Sequence, residues 1–174
     1  KDLVLQKLAT ESLVKNVTHL ETSDIGLIDP LVEKFDVDLT HQDHYLFKKA
    51  KYYSDIGQLG QVDASLSLIS TESEVYFEGQ LLKSLLSYRQ GDLDNAIATL
   101  ELSLSMNQQD KLNKVKNLTA LTLARLYFQK NDYKSAYKNY LKIDKSSSAW
   151  LQAMVEEAWT QILDGDNDGA AGIM

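Results

Sequence analysis

Leu123-Ala124-Arg125-Leu126-Tyr127-Phe128-Gln129-Lys130-Asn131-Asp132-Tyr133-Lys134-Ser135-Ala136-Tyr137-Lys138-Asn139-Tyr140 is the stretch that decides the fold. Apolar residues recur at spacings of three and four on both sides of Asn131, the period of a helix with one buried face. Asparagine tolerates the left-handed backbone that ends a helix, and an aspartate just after it can cap the next one. The stretch therefore reads as helix, tight turn, helix. Ala124 and Ala136 lie seven residues before and five after the turn. Small side chains at those places let two antiparallel helices approach closely.

The same punctuation recurs. Gly57-Gln58-Leu59, Gly91-Asp92-Leu93 and Gly165-Asp166-Asn167 join Asn131-Asp132-Tyr133, their first residues 34, 40 and 34 apart. Seven residues before each turn stand Ala50, Ser84, Ala124 and Ala158; five after it stand Val62, Ala96, Ala136 and Ala170. Nine after it come the large apolar residues Leu66, Leu100, Tyr140 and Met174. Tyr53 and Tyr127, four before their turns, supply bulk between helices. Recurrence at this period is the signature of a repeat architecture.

On these residues the chain resembles the tetratricopeptide repeat family over about residues 43–174. Its repeats lack the early tryptophan and closing proline of the family motif. The resemblance implies an all-α fold, a right-handed α-α superhelix or solenoid of stacked antiparallel helical hairpins. It also implies a protein-interaction scaffold that performs no chemistry and binds a peptide or helix of a partner in its concave groove. Carried over by offset from the turns, the groove would be lined by Phe47, Lys51, Leu81, Leu85, Tyr88, Leu121, Arg125, Phe128, Val155 and Trp159. Leu81, Leu85 and Leu121 also fit plain packing between repeats; Tyr88, Phe128 and Trp159 fit ligand contact better. Arg125 could fork onto a partner's carboxylate or a carbonyl.

The expected organisation is an N-terminal helical segment over residues 1–40, then repeats at about 41–73, 74–110, 111–146 and 147–174. Helices are expected at 3–21, 30–36, 41–55, 58–70, 72–89, 93–105, 111–129, 133–144, 147–163 and from about 167, with an insertion near Asn107-Gln108-Gln109-Asp110. In the first helix, Leu5, Ala9, Leu13, Val17 and Leu20 form the expected apolar stripe. Asp29-Pro30 reads as a cap and first-turn proline. Thr40 with Asp43, and Thr71 with Glu74, have the spacing of capping boxes. The apolar residues at the last turn need cover, which implies that the natural chain continues and that this last repeat can self-associate.

Composition narrows the function. Among 174 residues the formal charge is −7, and a net anionic surface repels phosphate backbones, which argues against nucleic acid. The densest basic cluster, Lys48, Lys49 and Lys51, reads as a solvated helix face. No apolar run reaches membrane-spanning length. Without cysteine there is no disulfide, thiolate metal site or cysteine nucleophile. No compartment follows from these features.

The run Asp164-Gly165-Asp166-Asn167-Asp168-Gly169 has two readings. Asp164, Asp166 and Asp168 alternate as in the first half of a calcium loop. The same residues also make the fourth turn in register with the other three, which the calcium reading leaves unexplained. His41, Asp43 and His44 read as a polar helix start, since a metal needs further converging ligands. Adjacent Glu156 and Glu157 point about 100° apart on a helix and cannot share a substrate. No phosphate loop, nucleophile elbow or dinucleotide fingerprint occurs, and no cofactor is expected. A helical arm of a larger enzyme stands as a further alternative.

Overall fold

The computed structural model describes residues 2–106 and 115–165, with 169 and 172. Among the described residues the regular structure is helical throughout, joined by turns and without strands. In chain order the helices are α1 (Asp2–Lys15), α2 (Ile25–Lys34), α3 (Asp43–Asp55), α4 (Leu59–Ser67), α5 (Tyr76–Arg89), α6 (Leu93–Ser105), α7 (Lys116–Gln129), α8 (Tyr133–Tyr140) and α9 (Trp150–Asp164). Neighbours in sequence pack as pairs, as with α3 on α4 and α7 on α8. No described helix is long and apolar enough to cross a membrane. The chain divides into two compact units, Lys1–Leu86 and Ser87–Met174.

All four expected turns have the left-handed backbone they need: φ is 76° at Gly57, 82° at Gly91, 62° at Asn131 and 88° at Gly165. Asp92 accepts the backbone N–H of Asn95 at 3.0 Å, and Asp132 that of Ser135 at 3.1 Å, each as an N-cap. Gln58 makes no such side-chain bond. Asp166, the third expected cap, lies outside the described residues.

The small residues placed around the turns are interior wherever they are described. Ala50, Ser84, Ala124, Ala158, Val62, Ala96 and Ala136 are buried, as are Leu66, Leu100 and Tyr140. Ala170 and Met174 lie outside the described residues. In the first unit Ala50, Val62 and Leu66 join Leu46, Ile69, Val75 and Leu86 in one core. In the second, Ala124, Ala136 and Tyr140 pack with Ala120, Leu121, Ile143 and Ala153.

The N-terminal segment departs from expectation. The first α-helix stops at Lys15 and a 3-10 turn follows over Val17–His19. Its buried side carries Thr10, Val14 and Val17, whereas Leu5 and Leu13 of the expected stripe are exposed. Thr10 is tolerated inside because its hydroxyl donates to the Gln6 carbonyl at 2.9 Å. The second helix begins at Ile25, so Pro30 lies inside it and not in its first turn.

Asp29 is no cap. It is buried and accepts from Tyr45 Oη (2.7 Å), Tyr53 Oη (2.6 Å) and Lys49 Nζ (2.7 Å). Lys48 donates to the carbonyls of Val17 (2.8 Å) and Leu20. Two of the three lysines assigned to a solvated face thus tie α3 to the segment before it.

Neither Thr40 nor Thr71 stands at a helix N-cap, since Gln42 precedes α3 and α5 begins at Tyr76. Asp38 accepts the Thr40 N–H (2.8 Å), Asp43 accepts the N–H of Ser70 (3.1 Å), and α3 starts at Asp43. Ser70 and Ser73 hydroxyls take the N–H groups of Glu72 and Val75, which holds residues 70–75 in turns and delays α5 to Tyr76. Serine and aspartate side chains compete with the helix for backbone donors in this way. Helix α6 matches its expected bounds, while α4 and α8 end earlier than expected. The insertion at 107–110 lies outside the described residues, and of the helix expected from 167 only Gly169 and Gly172, both helical, are described.

Candidate functional site

In the second unit a surface is built by α7 and α9. Helix α7 is packed from the inside by Ala120, Leu121, Leu123 and Ala124, and Asn131 turns the chain into α8. Helix α9 buries Ala153, Ala158, Thr160 and Gln161 on its inner side. On the other side Leu151, Val155, Trp159 and Ile162, at spacings of four, four and three, line up with Leu163. Val155 is 59% and Trp159 58% exposed. An apolar stripe of this length left in water marks an interaction surface more often than chance does.

One polar device borders the stripe. Arg125 donates from Nε to Glu156 Oε2 (2.9 Å) and from Nη2 to Glu156 Oε1 (2.7 Å), a bidentate pair. Tyr140 adds its hydroxyl to Glu156 Oε2 at 3.0 Å. Burial alone would push the Glu156 carboxyl up, but the Arg125 and Tyr140 bonds outweigh it and hold the group below the usual carboxylate range. The bond to Glu156 raises Arg125. Adjacent Glu157, off this network, is raised by burial. The Arg125 side chain is still 45% exposed.

The expected groove residues spread unevenly. In the first unit Phe47 is half-buried against the core with Lys51 Nζ 5.9 Å from its ring centre, Leu81 is half-buried and Leu85 is exposed. In the second, Leu121 is fully in the core, Phe128 is half-buried and edge-on to Tyr133 (5.6 Å), and Tyr88, Val155 and Trp159 are exposed. Arg125 is not an empty fork, because Glu156 fills it. Sequence reasoning missed Leu151, Ile162 and Leu163, although their spacing with Val155 and Trp159 was readable. It also set Glu156 aside on its relation to Glu157, when its partner lies 31 residues away.

Among the described residues no group of three His, Asp or Glu could hold a metal ion. Asp164 is exposed, and Asp166 and Asp168 of the alternating acidic run lie outside the described residues.

Neither family models, curated proteins nor solved structures contain a match to this chain.

Proposed function

We propose that the chain is a protein-interaction module of tetratricopeptide type that binds an amphipathic helix or extended peptide of a partner and carries out no reaction itself. The right-handed superhelix of stacked hairpins belongs to the same reading. The observation that carries it is the exposed stripe of Val155 and Trp159 beside α7, on a helix whose opposite side buries Ala153, Ala158, Thr160 and Gln161. Support for the family comes from four left-handed turns in register with buried small residues. An aromatic anchor such as Trp159 bordered by a fixed arginine combines the residue types that dominate binding energy at protein interfaces.

The test begins with helical peptides selected by display on the intact chain. Their binding shifts the emission of Trp159, with Trp150 replaced by phenylalanine to remove its signal. Val155→Ser with Trp159→Ala weakens the selected peptides at least about tenfold, as loss of a central aromatic anchor does. Equal binding by the double variant and the parent would remove the surface from consideration.

A further inference from the structure

The Arg125–Glu156 pair bears on the chemistry of the partner, on the premise that the α7–α9 surface binds one. A bare guanidinium beside an apolar stripe would select an acidic peptide. Here two of the five N–H donors of Arg125 are committed to Glu156, and the Tyr140 hydroxyl donates to the same Oε2 that Arg125 Nε reaches. The two opposite charges lie 2.7 Å apart, so their combined field at the stripe is that of a dipole and falls off quickly.

A partner carboxylate approaching Arg125 also approaches Glu156, and a partner ammonium approaching Glu156 meets Arg125. Either would lose hydration over Leu151, Val155, Trp159 and Leu163 with little Coulomb return. The donors of Arg125 left unused by Glu156 can still serve a neutral acceptor, a backbone carbonyl or a side-chain amide, without paying for a charge. Orientation by Glu156 keeps those donors fixed before the partner arrives.

We infer that the surface formed by Val155, Trp159 and the Arg125–Glu156 pair selects an uncharged amphipathic helix, apolar on the side facing α9 and carrying neutral amide or carbonyl acceptors where it meets Arg125. Glu156 is the residue that sets this selectivity: it neutralises the arginine and holds it in place.

The experiment compares three stapled helical peptides that share a leucine stripe and differ at one flank position, glutamine, glutamate or lysine. Binding is read from Trp159 emission in the Trp150→Phe background. The parent protein prefers the glutamine peptide by roughly fivefold over either charged one, the scale of one partly exposed charge interaction. Glu156→Gln frees the guanidinium and moves the preference to the glutamate peptide. Arg125→Gln frees the carboxylate and moves it to the lysine peptide, so the same idea is tested with opposite sign if one variant loses its helical signal.

A parent that ranks the glutamate or lysine peptide first, or one ranking shared by all three proteins, overturns the inference and leaves the interaction surface standing. Failure of every peptide to bind any of the three proteins overturns both.

Discussion

Tyr53 Oη lies 2.6 Å from Oδ2 of Asp29, a carboxylate only 2% exposed, and so joins the third helix to the second through a partly buried hydrogen bond. Tyr45 and Lys49, eight and four residues before Tyr53, reach the other oxygen from the same face of α3. The carboxylate is therefore held by three donors, which compensates the cost of removing its charge from water.

Replacing Asp29 by alanine strands the Lys49 ammonium and two tyrosine hydroxyls. The expected cost is about 3 kcal/mol, the range seen when one member of a buried ion pair is removed. Tyr53→Phe, which deletes a single donor, costs about 1 kcal/mol. Denaturant unfolding followed by circular dichroism measures both. Equal stability of Asp29→Ala and the parent would show that the network does not hold the N-terminal segment.

The small residues near the helix crossings make a second prediction. Ala124 and Ala136 have no exposed surface and share one core with Tyr140 and Ile143. Leucine at either place forces α7 and α8 apart, at a cost of about 2 kcal/mol from overpacking. Leucine at exposed Ser67 is the control and leaves the melting temperature nearly unchanged.

Turns and crossings were legible in the sequence because each demands a residue type at a fixed place. A left-handed φ calls for Gly or Asn, and a close crossing calls for a small side chain, so Gly57, Gly91, Asn131 and Gly165 fell into register with Ala50, Ser84, Ala124 and Ala158. The docking of residues 17–37 was not legible. It depends on Asp29, Tyr45, Lys48, Lys49 and Tyr53 finding partners 16 to 31 residues away, and no local period reports such pairs. Helices α6 and α8 begin where expected, but the starts expected after Thr40 and Thr71 failed for a related reason. Serine and aspartate side chains around Ser70, Ser73 and Asp38 bond to nearby amides in turns, and the spacing of a capping box does not distinguish that from a cap. At the site, offsets from the turns found Val155 and Trp159 on the surface, but placed Leu121 there too, although the core around Ala124 encloses it.

Gly91 isolates the backbone cost of a turn. A methyl group added there meets nothing within 4 Å, so Gly91→Ala strains only the φ of 82°. The expected loss is about 1 kcal/mol. Asn131→Ala, at φ 62°, loses a similar amount and Asn131→Gly loses none, as thermal melts of the three variants would show.

Alkaline pH acts through the tyrosines. Desolvation, then the bonded carboxylate, raises Tyr45 and Tyr53 beside Asp29. Desolvation and Glu101 raise Tyr127 to about 12, and desolvation with Glu156 raises Tyr140. The unfolded value is about 10. A raised folded value means that these groups contribute stability below pH 10, which is lost as pH rises from there toward the folded values. The phenolate absorbance of the four then appears together with loss of helix. Smooth titration of all nine tyrosines near pH 10 with the helices intact would contradict these burial assignments.

Glu156 and Glu157 are neighbours in sequence with opposite expected effects. The bonds from Arg125 and Tyr140 outweigh burial at Glu156 and lower it, so its contribution is present above the ordinary glutamate range and is lost as pH falls through the folded value. Burial raises Glu157, so its contribution is present below that range and is lost as pH rises. At neutral pH Glu156→Gln therefore destabilises and Glu157→Gln stabilises, each by about 1 kcal/mol or less, because both side chains keep some contact with water. In acid the Glu157 difference shrinks toward zero as that group becomes neutral, and the Glu156 difference follows only as pH falls through its lowered folded value. Urea midpoints at pH 7 and pH 3.5 measure both signs. If both glutamine variants shifted the same way at pH 7, the asymmetry that Arg125 imposes on this pair would be wrong.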